Sequence, residues 1–145
     1  MGASLLELLL LKSIGIGITL EFQNAKTMSF RIAFKQAAKS EHDQHKLGAT
    51  IVKGHRILAT GFNQLRSSSI TKTNTLHAEA AAILQLLKER RLEDLSGAEL
   101  YVTRFTRGGA VGLARPCDAC MSLIRSVGIA EVHYTTEQGT ESMKV

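Results

Sequence analysis

Two short clusters hold the residues whose types and spacing could do chemistry: His77-Ala78-Glu79, and Pro116-Cys117-Asp118-Ala119-Cys120. The chain has two cysteines, and both lie in the second cluster. Taken alone, a Cys-x-x-Cys pair suits a redox centre or half of a structural zinc knuckle, in a reducing compartment. A lone His near a helix start more often caps or packs. A structural zinc takes four protein ligands, but His42, His45, His55 and His133 lie at no finger spacing from the cysteines. A thioredoxin-like site would place its motif after the first strand, not near the end of the chain.

Taken together the clusters describe a different object. One neutral imidazole, His77, and two thiolates, Cys117 and Cys120, supply three ligands, cancel the charge of Zn²⁺ and leave a fourth tetrahedral position open. That is the catalytic arrangement. Cysteines three apart at a helix start can aim at one metal, and a helix N-terminus favours thiolate. Glu79 lies two residues beyond the His ligand, so its carboxylate can address water on the metal instead of the metal. Zinc brings the pKa of such water to about 7, and a carboxylate can then take its proton.

The elements that must position these groups are readable in outline. Ser29 suits an N-cap for a helix to about Lys39, with Phe30, Ala33, Phe34, Ala37 and Ala38 along one face. Residues 48–52 read as a strand, Gly54-His55 as a turn and residues 56–62 as the returning strand. A polar loop over residues 63–74 leads to Thr75, expected to cap a helix over residues 77–92. Ser96-Gly97 breaks the chain and residues 99–105 alternate as a strand. After a Gly-rich loop, Pro116 suits the first position of a helix that runs to Val127 and stops at Gly128. Residues 129–135 form a last strand, and the tail is polar. A hairpin continued by strand–helix units predicts an α/β fold, a three-layer α/β/α sandwich around a mixed central sheet.

At 145 residues, 44% hydrophobic and 21% charged, the chain matches one globular domain and can bury a core without disulfides. The net charge of +5 suits phosphate-bearing partners without requiring them. The Phe and Tyr residues are not interleaved with basic ones, so a stacking platform for single strands is unsupported. No apolar run reaches the ~20 residues of a membrane span, and no membrane partner is expected. Residues 1–27 read apart from the rest: Glu7 sits where a secretory signal wants positive charge, and Lys12 follows the leucines. They are expected to be an extra packed helix or an extension upstream of Met28, with the catalytic domain over residues 28–145.

His-x-Glu followed by Pro-Cys-x-x-Cys is the signature of the zinc-dependent nucleoside and nucleobase deaminases, and this sequence resembles the cytidine and deoxycytidylate deaminase superfamily. The similarity extends over residues 30–136, through the Leu47-Gly48-Ala49 and Thr60-Gly61-Phe62-Asn63 segments. The resemblance implies a cytidine deaminase-like fold, zinc on His77, Cys117 and Cys120, and Glu79 as proton shuttle. It implies substrate contacts from Asn63 and from the backbone of Ala78, a cytoplasmic homo-oligomer, and hydrolytic deamination of an amino-pyrimidine nucleoside or its monophosphate. Deamination of cytosine or adenosine within nucleic acid is the second expectation, and a silent zinc-containing nucleotide-binding module the third. The basic, Gly-rich insertion over residues 104–115 departs from the family pattern. Arg104, Arg107 or Arg115 is expected there to meet a substrate phosphate. The extra His/Cys zinc cluster of allosterically regulated deoxycytidylate deaminases has no counterpart here.

Overall fold

The structure is a computed structural model, and the described residues are 25–66 and 74–145. They form α1 (Ala25–Ala37), β1 (His45–Lys53), β2 (Arg56–Phe62), α2 (Ala78–Lys88), β3 (Glu99–Thr106), α3 (Asp118–Ser126), β4 (Glu131–Thr135) and β5 (Thr140–Lys144). A short 3-10 turn, Leu92–Leu95, precedes β3. The sheet order is β2-β1-β3-β4-β5. β3 and β4 are parallel and the other pairs antiparallel, so the sheet is mixed as expected. None of the described helices is long and apolar enough to cross a membrane.

Apolar residues on the two sheet faces account for the layers. On one face Phe30 and Phe34 of α1 pack with Val52, Tyr101 and Val111, and Phe30 meets Tyr101 edge-on at 5.1 Å. On the other, Ile83 and Leu86 of α2 and Met121 and Ile124 of α3 pack with Ile51, Leu100, Val102 and Val132. Burying each of these large side chains contributes about 1.5–3 kcal/mol before entropy is counted. Helices thus cover both faces of the sheet, and α2 and α3 share one of them.

Several boundaries differ from the sequence reading. α1 is already helical at Ala25 and passes through Ser29, whose hydroxyl donates back to Ala25 O at 2.9 Å instead of capping. Residues 1–24, including the leucine-rich stretch, lie outside the described residues. α2 ends at Lys88, not near Leu92, and His77 is its N-cap, not Thr75. The helix stops in a Schellman arrangement, with Arg91 N bonded to Leu86 O at 2.8 Å and Arg90 N to Leu87 O at 3.1 Å. That geometry puts Arg90 at φ 57°, a left-handed conformation usually taken by Gly. Arg90→Gly is expected to raise stability by about 0.5–1 kcal/mol, read as a higher urea midpoint with an unchanged slope. A lower midpoint would contradict the assignment.

Pro116 precedes α3 instead of opening it, because Cys117 takes the N-cap position. Gly128, at φ 87°, ends that helix as expected. The tail is not loop: β5 is an edge strand, and Tyr134 Oη donates to Glu141 at 2.8 Å across the β4–β5 pair.

The two tyrosines of the chain offer a check on this packing. Burial first, then Glu99 and Glu131, push Tyr101 up to about 12 from 10.0. The hydrogen bond to Glu141 is the largest cause raising Tyr134. A raised phenol pKa means the folded chain favours the neutral ring. Its contribution to stability is fully present below pH 10 and is lost as pH rises toward about 12. Phenolate absorbance is therefore expected to lag that of free tyrosine on alkaline titration, and to catch up where the chain unfolds. Titration of both rings at the ordinary value would contradict it.

Candidate metal centre and catalytic cavity

The two helix starts on the same side of the sheet converge. His77 is the N-cap of α2 with φ −71° and ψ 152°, and Cys117 is the N-cap of α3 with φ −70° and ψ 169°. Neither side chain caps its own helix. Both are turned toward one another, and Cys120 joins them from the first turn of α3. His77 Nδ1 lies 3.6 Å from Cys117 Sγ and 3.4 Å from Cys120 Sγ. These three ligand atoms all lie within 4.8 Å of one another. Zinc–nitrogen and zinc–sulfur bonds of about 2.0–2.1 and 2.3 Å, set at a tetrahedral angle, place N and S about 3.6 Å apart. The separations found are those of a shared zinc, and the donors leave one of its four positions free.

The same residues explain why the site is hard to fill with anything but a cation. Cys120 is buried, and burial first, then the neighbouring Glu79 and Cys117, push its thiol well above the ordinary value. A metal bound here displaces that proton. His77 and Cys117 sit at the N-termini of α2 and α3, and the positive end of a helix dipole favours thiolate. The cysteines are free and form no disulfide.

Glu79, in the first turn of α2, is 3% exposed. Its Oε1 is buried with no hydrogen-bond partner among the described residues. Burial raises its pKa, opposed by its own backbone N–H, by His77 and by Cys120. A buried carboxylate oxygen left unmatched costs about 1–3 kcal/mol or more, and this one lies beside three side chains whose donor atoms could hold a metal ion.

Glu79, His77 and Cys117 line a cavity of about 280 Å³, near the small end of ligand sites. Asn63 and Ala78, expected from the sequence to contact substrate, line it too. Asn63 is also a fastener: its Oδ1 accepts from Leu47 N at 2.9 Å and its Nδ2 donates to His45 O at 2.6 Å. One amide hydrogen and one lone pair remain for a ligand. Ala78 is fully buried at the first turn of α2, where its N–H has no carbonyl one turn back to meet. Of the three arginines singled out in the insertion, Arg104 and Arg115 line the cavity and Arg107 does not. His42, His45, Leu47, Thr75 and Leu113 complete the wall and were missed as site residues. No spacing in the sequence announces them, because the fold brings them in from β1 and from separate loops. The loop over residues 67–73 lies outside the described residues.

Residues 23–136 match the family model for the cytidine and deoxycytidylate deaminase zinc-binding region. A deoxycytidylate deaminase of Mycobacterium phage D29 is 33% identical over 129 residues, covering 73% of this chain and 90% of its own. A tRNA-specific adenosine deaminase of Agrobacterium fabrum is 29% identical over 110 residues, covering 75% and 64%. The apo crystal structure of the dCMP deaminase from cyanophage S-TIM5 superposes with a TM-score of 0.59 at 29% identity, over 75% of this chain and 80% of that one. Its complex with dCMP and dUMP gives 0.53 at 25% identity, over 81% and 82%.

Proposed function

The chain belongs to the cytidine and deoxycytidylate deaminase family, a family of zinc-dependent hydrolytic deaminases, and from that premise we propose that it removes the exocyclic amine of a free cytosine nucleotide or nucleoside. Supporting this reading is the unmatched Oε1 of Glu79, buried beside three donors at zinc spacing. Zinc held by His77, Cys117 and Cys120 supplies a Lewis acid that makes water a usable nucleophile near neutral pH. Glu79 takes a proton from the attacking water and delivers it to N3 of the ring. It then carries the second proton to the departing amine, which leaves as ammonia while the ring keeps the oxygen. The N–H of Ala78 and the spare amide hydrogen of Asn63 orient base and sugar, and the absence of a longer side chain at Ala78 lets the ring approach closely.

The similarity to a tRNA-specific adenosine deaminase favours a second reading, deamination within nucleic acid. A mass-shift assay separates the two. Zinc-loaded protein would be offered cytidine, deoxycytidine, their monophosphates, a single-stranded oligonucleotide and a tRNA. Conversion of the free compounds is expected; conversion confined to a polymer would overturn the first reading and support the second.

A further inference from the structure

The cavity wall carries one acidic side chain and several basic ones. Glu79 is the one carboxylate among its described lining residues, against His42, His45, Arg104 and Arg115. Glu41 and Asp43 line a neighbouring depression with His42, not this cavity.

The two arginines sit at the ends of the insertion, and its backbone fixes them relative to each other. Phe105 bridges Val111, Thr106 N donates to Ala110 O at 2.8 Å, and Gly112 N donates to Arg104 O at 3.0 Å. The return leg is fastened to β4, with Ala114 N on Thr135 O at 2.9 Å and the Thr135 hydroxyl on Gly112 O at 2.9 Å. The insertion is thus a hairpin continuing β3, with exposed Arg107 in its turn and Arg104 and Arg115 on the two legs, where both line the cavity. Among the described residues neither Arg104 nor Arg115 forms an ion pair.

Arg104 is also pre-oriented. Its Nη1 reaches Leu113 O at 3.4 Å, its Nη2 contacts His45 Nδ1, and its Nε is buried without a partner. A guanidinium has donors only, so His45 Nδ1 is the acceptor and the ring proton sits on Nε2. The β1–β3 register sets this contact, since Leu47 pairs with Arg104 and His45 with Thr106.

Resting on the deaminase reading above, we propose that Arg104 and Arg115 clamp the 5′-phosphate of a nucleoside monophosphate, with His45 as the positioning residue that holds the Arg104 guanidinium in place. A phosphate monoester offers oxygens that match the planar donor fork of arginine. The Glu79 carboxylate repels that group from the floor, so the base enters first and the phosphate stays at the mouth. His45 acts through Arg104 and touches no reacting atom.

The test is calorimetric, on zinc-loaded protein, with the product pair deoxyuridine monophosphate and deoxyuridine, so that affinity is read without turnover. Wild type is expected to bind the monophosphate about ten- to a hundredfold tighter than the nucleoside, the range for charge-assisted hydrogen bonds. Arg115→Ala and Arg104→Lys collapse that ratio toward unity and leave nucleoside affinity unchanged. Arg104→Lys keeps the charge and the packing stem, so a collapse there is not a folding failure. His45→Phe lowers the ratio in the same direction, and in turnover raises KM for deoxycytidine monophosphate with kcat retained. Arg107→Ala keeps the wild-type ratio.

Equal wild-type affinities, or variants that lose both ligands alike, would overturn the clamp. So would an oligodeoxynucleotide that binds through Arg104 more tightly than the monophosphate, which would reassign the pair to a phosphodiester backbone. Arginine-dependent binding without turnover would leave the clamp standing and overturn the deaminase reading. Arginine-independent deamination of both nucleoside and nucleotide would do the reverse.

Discussion

Glu79→Gln is expected to slow deamination by roughly 10²–10⁴-fold, the range for loss of a positioned general acid–base, while zinc stays bound. The amide keeps the size and hydrogen-bonding reach of the carboxylate but can neither accept nor carry a proton. Since Glu79 is not one of the three atoms at zinc spacing, the metal content should not change. Cys120→Ala provides the contrast, because two remaining ligands cannot hold a tetrahedral zinc site of this type. That variant should lose metal and turnover together. Metal analysis beside a deamination assay reads both. A Glu79→Gln enzyme within about tenfold of wild type would show that the carboxylate is not the proton carrier.

Among the described glycines, Gly48→Ala is expected to bring the most damaging single methyl group. A Cβ there would lie 1.9 Å from Ala33 O and 2.5 Å from Ala37 N, both backbone atoms of α1. No rotamer change relieves a clash with backbone, so α1 must move off the sheet or β1 must bend. Overpacking of this kind costs about 3 kcal/mol or more, a large fraction of the ~5–15 kcal/mol a domain has. The urea midpoint should drop sharply. Gly61→Ala is milder in contact distance, with Ala78 O and Ala82 N at 2.6 Å, but it presses on the helix that carries His77 and Glu79. It should therefore weaken zinc affinity as well as stability. A Gly48→Ala protein as stable as wild type would contradict the close packing of α1 on β1.

These two glycines show why some of the fold was legible and some was not. A small-residue strand, residues 48–52, announces itself by composition, and the observed β1 contains it. What the composition does not say is that Gly48 is small because a helix backbone crosses it. The order of elements was readable from hydrophobic period and breakers as far as β4. β5 was not, because its Thr140-Glu141-Ser142-Met143-Lys144 sequence is polar, and its pairing rests on backbone bonds and contacts such as Tyr134 with Glu141. Helix ends misled where the chain used unusual residues. Arg90 takes the left-handed position that a Gly would have advertised, and His77 and Cys117 take the cap positions where Ser or Thr would have been looked for.

The site divides along the same line. The proposed metal ligands and Glu79 lie in two motifs of three and five residues, so local spacing is enough to single them out. Asn63 was visible as the end of a strand, but its bonds to His45 and Leu47 belong to the β1–β2 register. The cationic mouth could be guessed only as charge on an insertion. Which arginine faces the cavity, and that His45 stands against Arg104, depends on the pairing of β1 with β3 and on a hairpin whose turn carries Arg107 away.

The central claim is hydrolytic removal of an amine at the His77–Cys117–Cys120 centre, and one measurement addresses it directly. Zinc-loaded protein would be incubated with deoxycytidine monophosphate in water enriched in heavy oxygen, and the nucleotide weighed by mass spectrometry. The account predicts a deoxyuridine monophosphate carrying one solvent oxygen, formed with ammonia and suppressed in Glu79→Gln. Unchanged deoxycytidine monophosphate from folded, zinc-bound wild-type protein, or a product without solvent oxygen, would contradict it.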